Sequence, residues 1–124
     1  MEFAICFKGF MEPDRARALV RQAENAGFSH CWLYDSHILW RESFMAMAML
    51  IEHTKRMRFG PCVTNPNTRD WSVAASMFGS LAKQSEGRFD IGVGRGDSAV
   101  RVMGKKPAPL ARMESFIHTV KALV

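Results

Sequence analysis

Four short apolar runs open near Glu2, His30, Arg58 and Phe89, and each is followed by a longer amphipathic segment. The spacing of about 30 residues is what a strand, two loops and a crossover helix consume, so the chain reads as four βα units of a parallel α/β fold. The order βαβαβαβα predicts four neighbouring parallel strands arranged 1-2-3-4. In such folds chemistry gathers at the carboxyl ends of the strands. The unusual residues fall there, in LYDSHILW (33–40), GPCVTNPNTRD (60–70) and IGVGRGDS (91–98).

The units read one by one. A strand over Glu2–Lys8 leads to a helix from Asp14 to Ala26, with Ala16, Leu19, Val20 and Ala23 on one face and Gly27 as its left-handed stop. The second strand, Cys31–Tyr34, is apolar on both faces, as a strand covered on both sides must be. Its helix, Ser43–Glu52, contains the uninterrupted apolar run Phe44–Ile51, too short to span a membrane and expected to be buried in the fold or between subunits. A third strand, Arg58–Val63, carries Pro61, which cannot donate to a ladder. The third helix, Ser72–Gln84, is expected to be capped by Asp70 and to bury Val73, Met77 and Leu81. A fourth strand, Phe89–Val93, ends in a glycine-rich turn, and a last helix presents Leu110, Met113, Ile117, Val120 and Val124 on one face. That helix runs to Val124 with no stop signal. Residues 1–124 are therefore expected to be the N-terminal half of an eight-unit (β/α)8 TIM barrel, which takes ~250 residues in full.

Composition narrows the function classes. A hydrophobic content of 48% excludes a disordered chain, and no apolar run reaches the length of a membrane span. Three cysteines, Cys6, Cys31 and Cys62, lack paired spacing, so neither a disulfide framework nor a metal site is expected, and the odd count fits a reducing cytoplasm. Each lies in a strand-like run and is expected to be packed. The net charge of +5 comes from scattered basic residues without interleaved aromatics, which disfavours nucleic acid as a partner and fits an anionic small molecule equally well.

GRGDS (94–98) invites two misreadings. Nothing else in the chain suits an extracellular adhesion motif. The dinucleotide fingerprint would need glycine at 97 or 99, where Asp97 and Ala99 stand. Placed after a strand, Gly94 and Gly96 instead let backbone approach a ligand, and Asp97 and Ser98 can cap a short helical turn over Ala99–Met103.

Taken in order, AGFSHCWLYDSH, RMRFGPCVTNPNTRD and SEGRFDIGVGRGDSAVRVMGKKPAPL resemble the bacterial-luciferase-like (luciferase-like monooxygenase) superfamily. Within it they are similar to the deazaflavin-dependent branch that includes methylenetetrahydromethanopterin reductase. The resemblance covers essentially the whole chain. It implies a (β/α)8 barrel whose carboxyl-end loops hold coenzyme F420, or alternatively FMN, and a hydride transfer to or from a small-molecule substrate. It further implies that Asp35 and His37 form the catalytic acid–histidine pair, since an imidazole gives or takes a proton near neutral pH. Many relatives have Asp directly before His, whereas this chain has Asp-Ser-His. A non-prolyl cis bond at Cys62–Val63 is implied beneath the cofactor ring. Thr64, Asn65, Trp40, Gly94, Gly96 and Asp97 complete the implied cofactor-binding set. Cys62 is expected to be structural, because hydride transfer needs no thiol nucleophile. Three other readings stand beside this one: an FMN-dependent monooxygenase, a non-catalytic half-barrel that self-associates, and a nucleic-acid binder. A homo-oligomer is the expected state.

Overall fold

The computed structural model describes residues 1–8 and 11–124. Strands β1 (Ala4–Phe7), β2 (His30–Leu33) and β3 (Arg58–Pro61) form one parallel sheet in the order β1-β2-β3. Ala4, His30 and Arg58 stand in register across it. Helices α1 (Pro13–Asn25) and α2 (Ser43–Ile51) are the crossovers, and α3 (Trp71–Gln84), the short α4 (Asp97–Arg101) and α5 (Leu110–Leu123) follow.

The expected fourth strand is present only as two isolated parallel bridges, Phe59 to Phe89 and Thr64 to Val93. Phe59 exchanges both backbone bonds with the incoming segment: its N–H reaches Arg88 O at 2.8 Å, and Asp90 N–H reaches its carbonyl at 2.8 Å. The next residue aimed at the same edge is Pro61, which has no N–H to give. Pairing resumes only where Thr64 N–H bonds Gly92 O and Gly94 N–H bonds Thr64 O, both at 2.8 Å. The Cys62–Val63 peptide between the two bridges is cis.

Side chains alternate along each strand. Cys31, Leu33 and Phe59 point into the helix layer and are buried, with Ile5, Phe7 and Phe89 packed against the same core. Burial pushes the Cys31 thiol up to about 12. Cys6 points to the opposite face and is exposed, as is Cys62, so only Cys31 is packed as the sequence suggests. On that opposite face Trp32 lies over Gly60. A Cβ at Gly60 would stand 2.7 Å from the Trp32 ring and 2.2 Å from the Asp90 carbonyl, so glycine is what admits both.

Helix α1 starts on Pro13, whose missing N–H is unneeded in a first turn, and buries Ala16, Val20 and Ala23. Gly27 follows it at φ 89°. Asp70 caps α3 as expected, accepting from Ser72 N–H at 2.8 Å. In α3 Leu81 is buried as expected and Met77 packs half-buried against the core, but Ala74, Ala75 and Phe78 are the other buried residues and Val73 is exposed. Phe78 decides this, packing at 5.5 Å from the Phe44 ring and 6.0 Å from Phe89, because burying an aromatic outweighs burying a valine. In α5 the buried residues are Phe116 and Val120, while Leu110 and Val124 are exposed. Phe116 meets Trp71 edge-on at 5.7 Å and sets that helix's rotation. Among the described residues no helix is long and apolar enough to cross a membrane.

Candidate active site

A cleft of about 390 Å³ opens at the carboxyl ends of the strands, walled by residues 34–40 after β2, 62–65 after β3 and 96–99 at α4. Its formation follows from the parallel order, since β2, β3 and the parallel-bridged segment Phe89–Val93 deliver their exits to one rim. Each wall is built differently.

The first wall begins with Tyr34, turns at Ser36, whose carbonyl accepts from Leu39 and Trp40 N–H at 2.9 and 2.8 Å, and presents Leu39 and Trp40 to the cleft. The Asp35 carboxylate is turned away from the opening. Its side chain is 1% exposed and receives both arms of the Arg69 guanidinium, at 2.7 and 2.9 Å. Thr64 Oγ1 donates to it at 2.7 Å and Ser43 Oγ at 3.4 Å. Nη2 of Arg69 also reaches both oxygens of Glu42, at 2.9 and 3.1 Å. Burial pulls the Arg69 guanidinium down, but hydrogen bonding and attraction from Asp35 and Glu42 more than reverse this and raise it above its ordinary value. Thr64, expected to meet a cofactor, is thus buried and committed to Asp35.

The second wall is Cys62, Val63 and Asn65. Val63 is exposed to the cleft and offers an apolar surface. Asn65 is buried; its Oδ1 accepts from Asn67 N–H at 3.0 Å, while its Nδ2 has no hydrogen-bond partner. A buried amide donor without a partner costs ~1–3 kcal/mol, so this nitrogen is an unsatisfied polar atom in a residue that lines the cleft. On the first wall, interaction with the Cys6 thiol raises the Tyr34 phenol above its ordinary value.

The third wall rests on glycine. Gly96 adopts φ 82°, and a Cβ there would stand 2.6 Å from Val100 and 2.7 Å from Asn65. A Cβ on Gly94 would stand 2.4 Å from Val63 Cγ2. Both glycines therefore let this turn close on the second wall. Gly96, not Asp97 or Ser98, is the N-cap of α4, and that helix starts earlier than Ala99. Asp97 lines the cleft and is paired with Arg101. Ser98 Oγ bridges to Ser36 Oγ at 3.2 Å, tying the third wall to the first.

The cleft gathers Trp40, Cys62, Val63, Asn65, Gly96 and Asp97 from the expected set, together with Asp35 as a structural part of its wall. His37 lies on the same loop but is exposed and not among the lining side chains, and Gly94 and Thr64 act from behind the wall. Sequence reasoning missed Arg69, Glu42, Tyr34, Ser36 and Leu39. Arg69 stood beside the Asp70 cap, and nothing in the spacing of a single sequence links it to a carboxylate 34 residues earlier.

The luciferase-like monooxygenase family model matches residues 1–124. The chain is 30% identical over 125 residues to a 5,10-methylenetetrahydromethanopterin reductase of Archaeoglobus fulgidus, a match that spans 99% of this chain and 37% of that protein. It is 31% identical over 134 residues to an F420-dependent glucose-6-phosphate dehydrogenase of Amycolatopsis mediterranei, spanning 94% of this chain and 40% of the relative. Among solved structures, the coenzyme F420-dependent tetrahydromethanopterin reductase of Methanopyrus kandleri superposes with a TM-score of 0.81 at 25% identity, over 97% of this chain and 38% of the other. The oxygenating constituent of 3,6-diketocamphane monooxygenase from Pseudomonas putida, in complex with FMN, superposes with a TM-score of 0.75 at 19% identity, over 97% of this chain and 37% of the other, a likeness of fold. The chain thus spans well under half the length of these relatives.

Proposed function

The chain belongs to the luciferase-like monooxygenase family, and from that premise we propose that it is the cofactor-seating N-terminal half of a (β/α)8 oxidoreductase dependent on coenzyme F420. The reaction is hydride transfer between the deazaflavin and a small organic substrate, as in methylenetetrahydromethanopterin reductase. The observation that carries this reading is Asn65 Nδ2, a buried donor without a partner at the wall of the cleft. It stands beside the apolar Val63 surface and a glycine turn, a combination suited to a flat heteroaromatic ring bearing carbonyls. A sequence relative named for F420 at 31% identity, and a solved F420-dependent reductase at 25% identity, favour the deazaflavin over FMN.

When bound, the deazaflavin supplies or accepts the hydride; the protein binds, orients and manages protons. Val63 and the Gly94–Gly96 turn support the ring, and Asn65 donates to it. Trp40 closes the outer side. His37, on the exposed part of the first wall, is assigned the proton-handling part, and Asp35 holds that wall in place. Replacing Asn65 with Leu in the full-length protein is expected to weaken F420 binding about tenfold, the loss of one hydrogen bond in a desolvated site. F420 fluorescence quenching measures it. Unchanged affinity, or binding of FMN in place of F420 by the unaltered protein, would remove the reading.

We also propose that the protein associates with a second copy through the outer surfaces of α2 and α3. Met45 is 75% exposed and Val73 59% exposed, and both line an apolar groove between the two helices. Placing Lys at Met45 is expected to shift a dimer to monomer in light scattering at micromolar concentration. An unaltered protein that is monomeric throughout would dismiss the interface.

A further inference from the structure

We infer that Arg69 is the positioning residue of the cleft, one guanidinium that ties both ends of the 35–42 loop to the exit of β3. The loop carries Leu39 and Trp40, two of the large side chains of the first wall. Asp35 and Glu42 bracket it, and Arg69 grips the first with both arms and the second with Nη2. Arg69 itself arrives on the segment leaving β3, where Thr64 hydrogen-bonds the same Asp35 carboxylate. Below the guanidinium lies the Phe44 ring, with its centroid 4.8 Å away. The side chain of Arg69 is 15% exposed, so water competes little for these bonds.

Charge balance explains why one cation serves two carboxylates. Asp35 is buried and Glu42 is partly exposed, and without a cation between them the loop ends would repel. A planar fork satisfies both at once, which a lysine ammonium, a single point of charge, cannot do with the same geometry. Because Val63 and Asn65 flank Thr64 on the segment between β3 and Arg69, clamping the loop to that exit fixes the separation of the first and second walls. The clamp rests on the F420 reading only for the identity of the ligand that occupies the cleft.

The test uses the full-length protein and two variants, Glu42→Gln and Arg69→Lys. Glu42→Gln loosens the far end of the loop while Asp35 keeps its partner, so this variant folds even if the other does not. Hydrogen exchange at the Leu39 and Trp40 amides, which are bonded to Ser36 O, reports the loop, and F420 titration reports the cleft. Exchange at these two amides is expected to rise about tenfold, and the F420 dissociation constant severalfold, while amides of α1 and α3 keep their protection. Unchanged exchange at both amides would overturn the clamp. Faster exchange with unchanged F420 affinity would reduce the cluster to a stabilising contact and overturn the positioning role. Faster exchange in a protein whose unaltered form binds no F420 would leave the clamp standing and defeat the cofactor reading instead.

Discussion

Replacing Asp35 with Ala is expected to lower folding stability by about 3–5 kcal/mol, the cost of breaking a buried ion pair from one side. The Arg69 guanidinium would keep only Glu42, and Thr64 Oγ1 would lose its acceptor inside the protein. Equilibrium urea unfolding reads the loss directly. Asp35→Asn restores an acceptor to Thr64 but not the charge, and should recover part of it. The alternative role, a general base facing the substrate, predicts the reverse pattern. Asn would then abolish turnover while leaving the unfolding midpoint near that of the unaltered protein.

Glu24 near the end of α1 carries the second large effect. Its carboxylate accepts from three consecutive backbone N–H groups, Lys55 at 3.0 Å, Arg56 at 2.7 Å and Met57 at 2.8 Å, and so fixes the turn that enters β3. Glu24→Ala would strand these donors and is expected to cost about 3 kcal/mol. Burial pushes the Glu24 carboxyl up, but the amides of Arg56, Met57 and Lys55 outweigh it and hold the group below its ordinary value of 4.5. Its folded value being the lower one, the contribution is fully present above 4.5 and fades as the pH falls through the depressed folded value. Urea midpoints of the unaltered protein should therefore drop below pH 4.5 more steeply than those of Glu24→Gln. Parallel curves for the two would show that the amide contacts do not bias the titration.

How much of this was legible in the sequence depended on the range of the interaction. Asp70 before a helical run announces a cap, because the bond it makes is two residues away. Gly27 after α1 announces a left-handed stop for the same local reason. On α3 Leu81 was read correctly and Val73 was not, since periodicity alone cannot say that Phe78 meets Phe44 and Phe89. Cys6 was expected inside and lies exposed, because a run of apolar residues does not reveal which face of the sheet the helices cover. The cis bond at Cys62–Val63 came from the resemblance to a family, with Pro61 and the Asn65-Pro66 step as residue-level signs of irregular backbone.

The βα rhythm, the parallel order of β1, β2 and β3 and the gathering of the β2 and β3 exits on one rim follow from the sequence, because each rests on spacing and periodicity within about 30 residues. Which side chains face the cleft was decided only by tertiary packing. Asp35 could have pointed to a ligand; Arg69, brought to it across 34 residues, turns it into the wall. Thr64 follows Asp35 inward, and Asn65, its neighbour, is left with a donor unspent. The reason is electrostatic: a buried carboxylate must take whatever cation and donors the fold delivers, and the chain delivers them from segments that no local pattern connects.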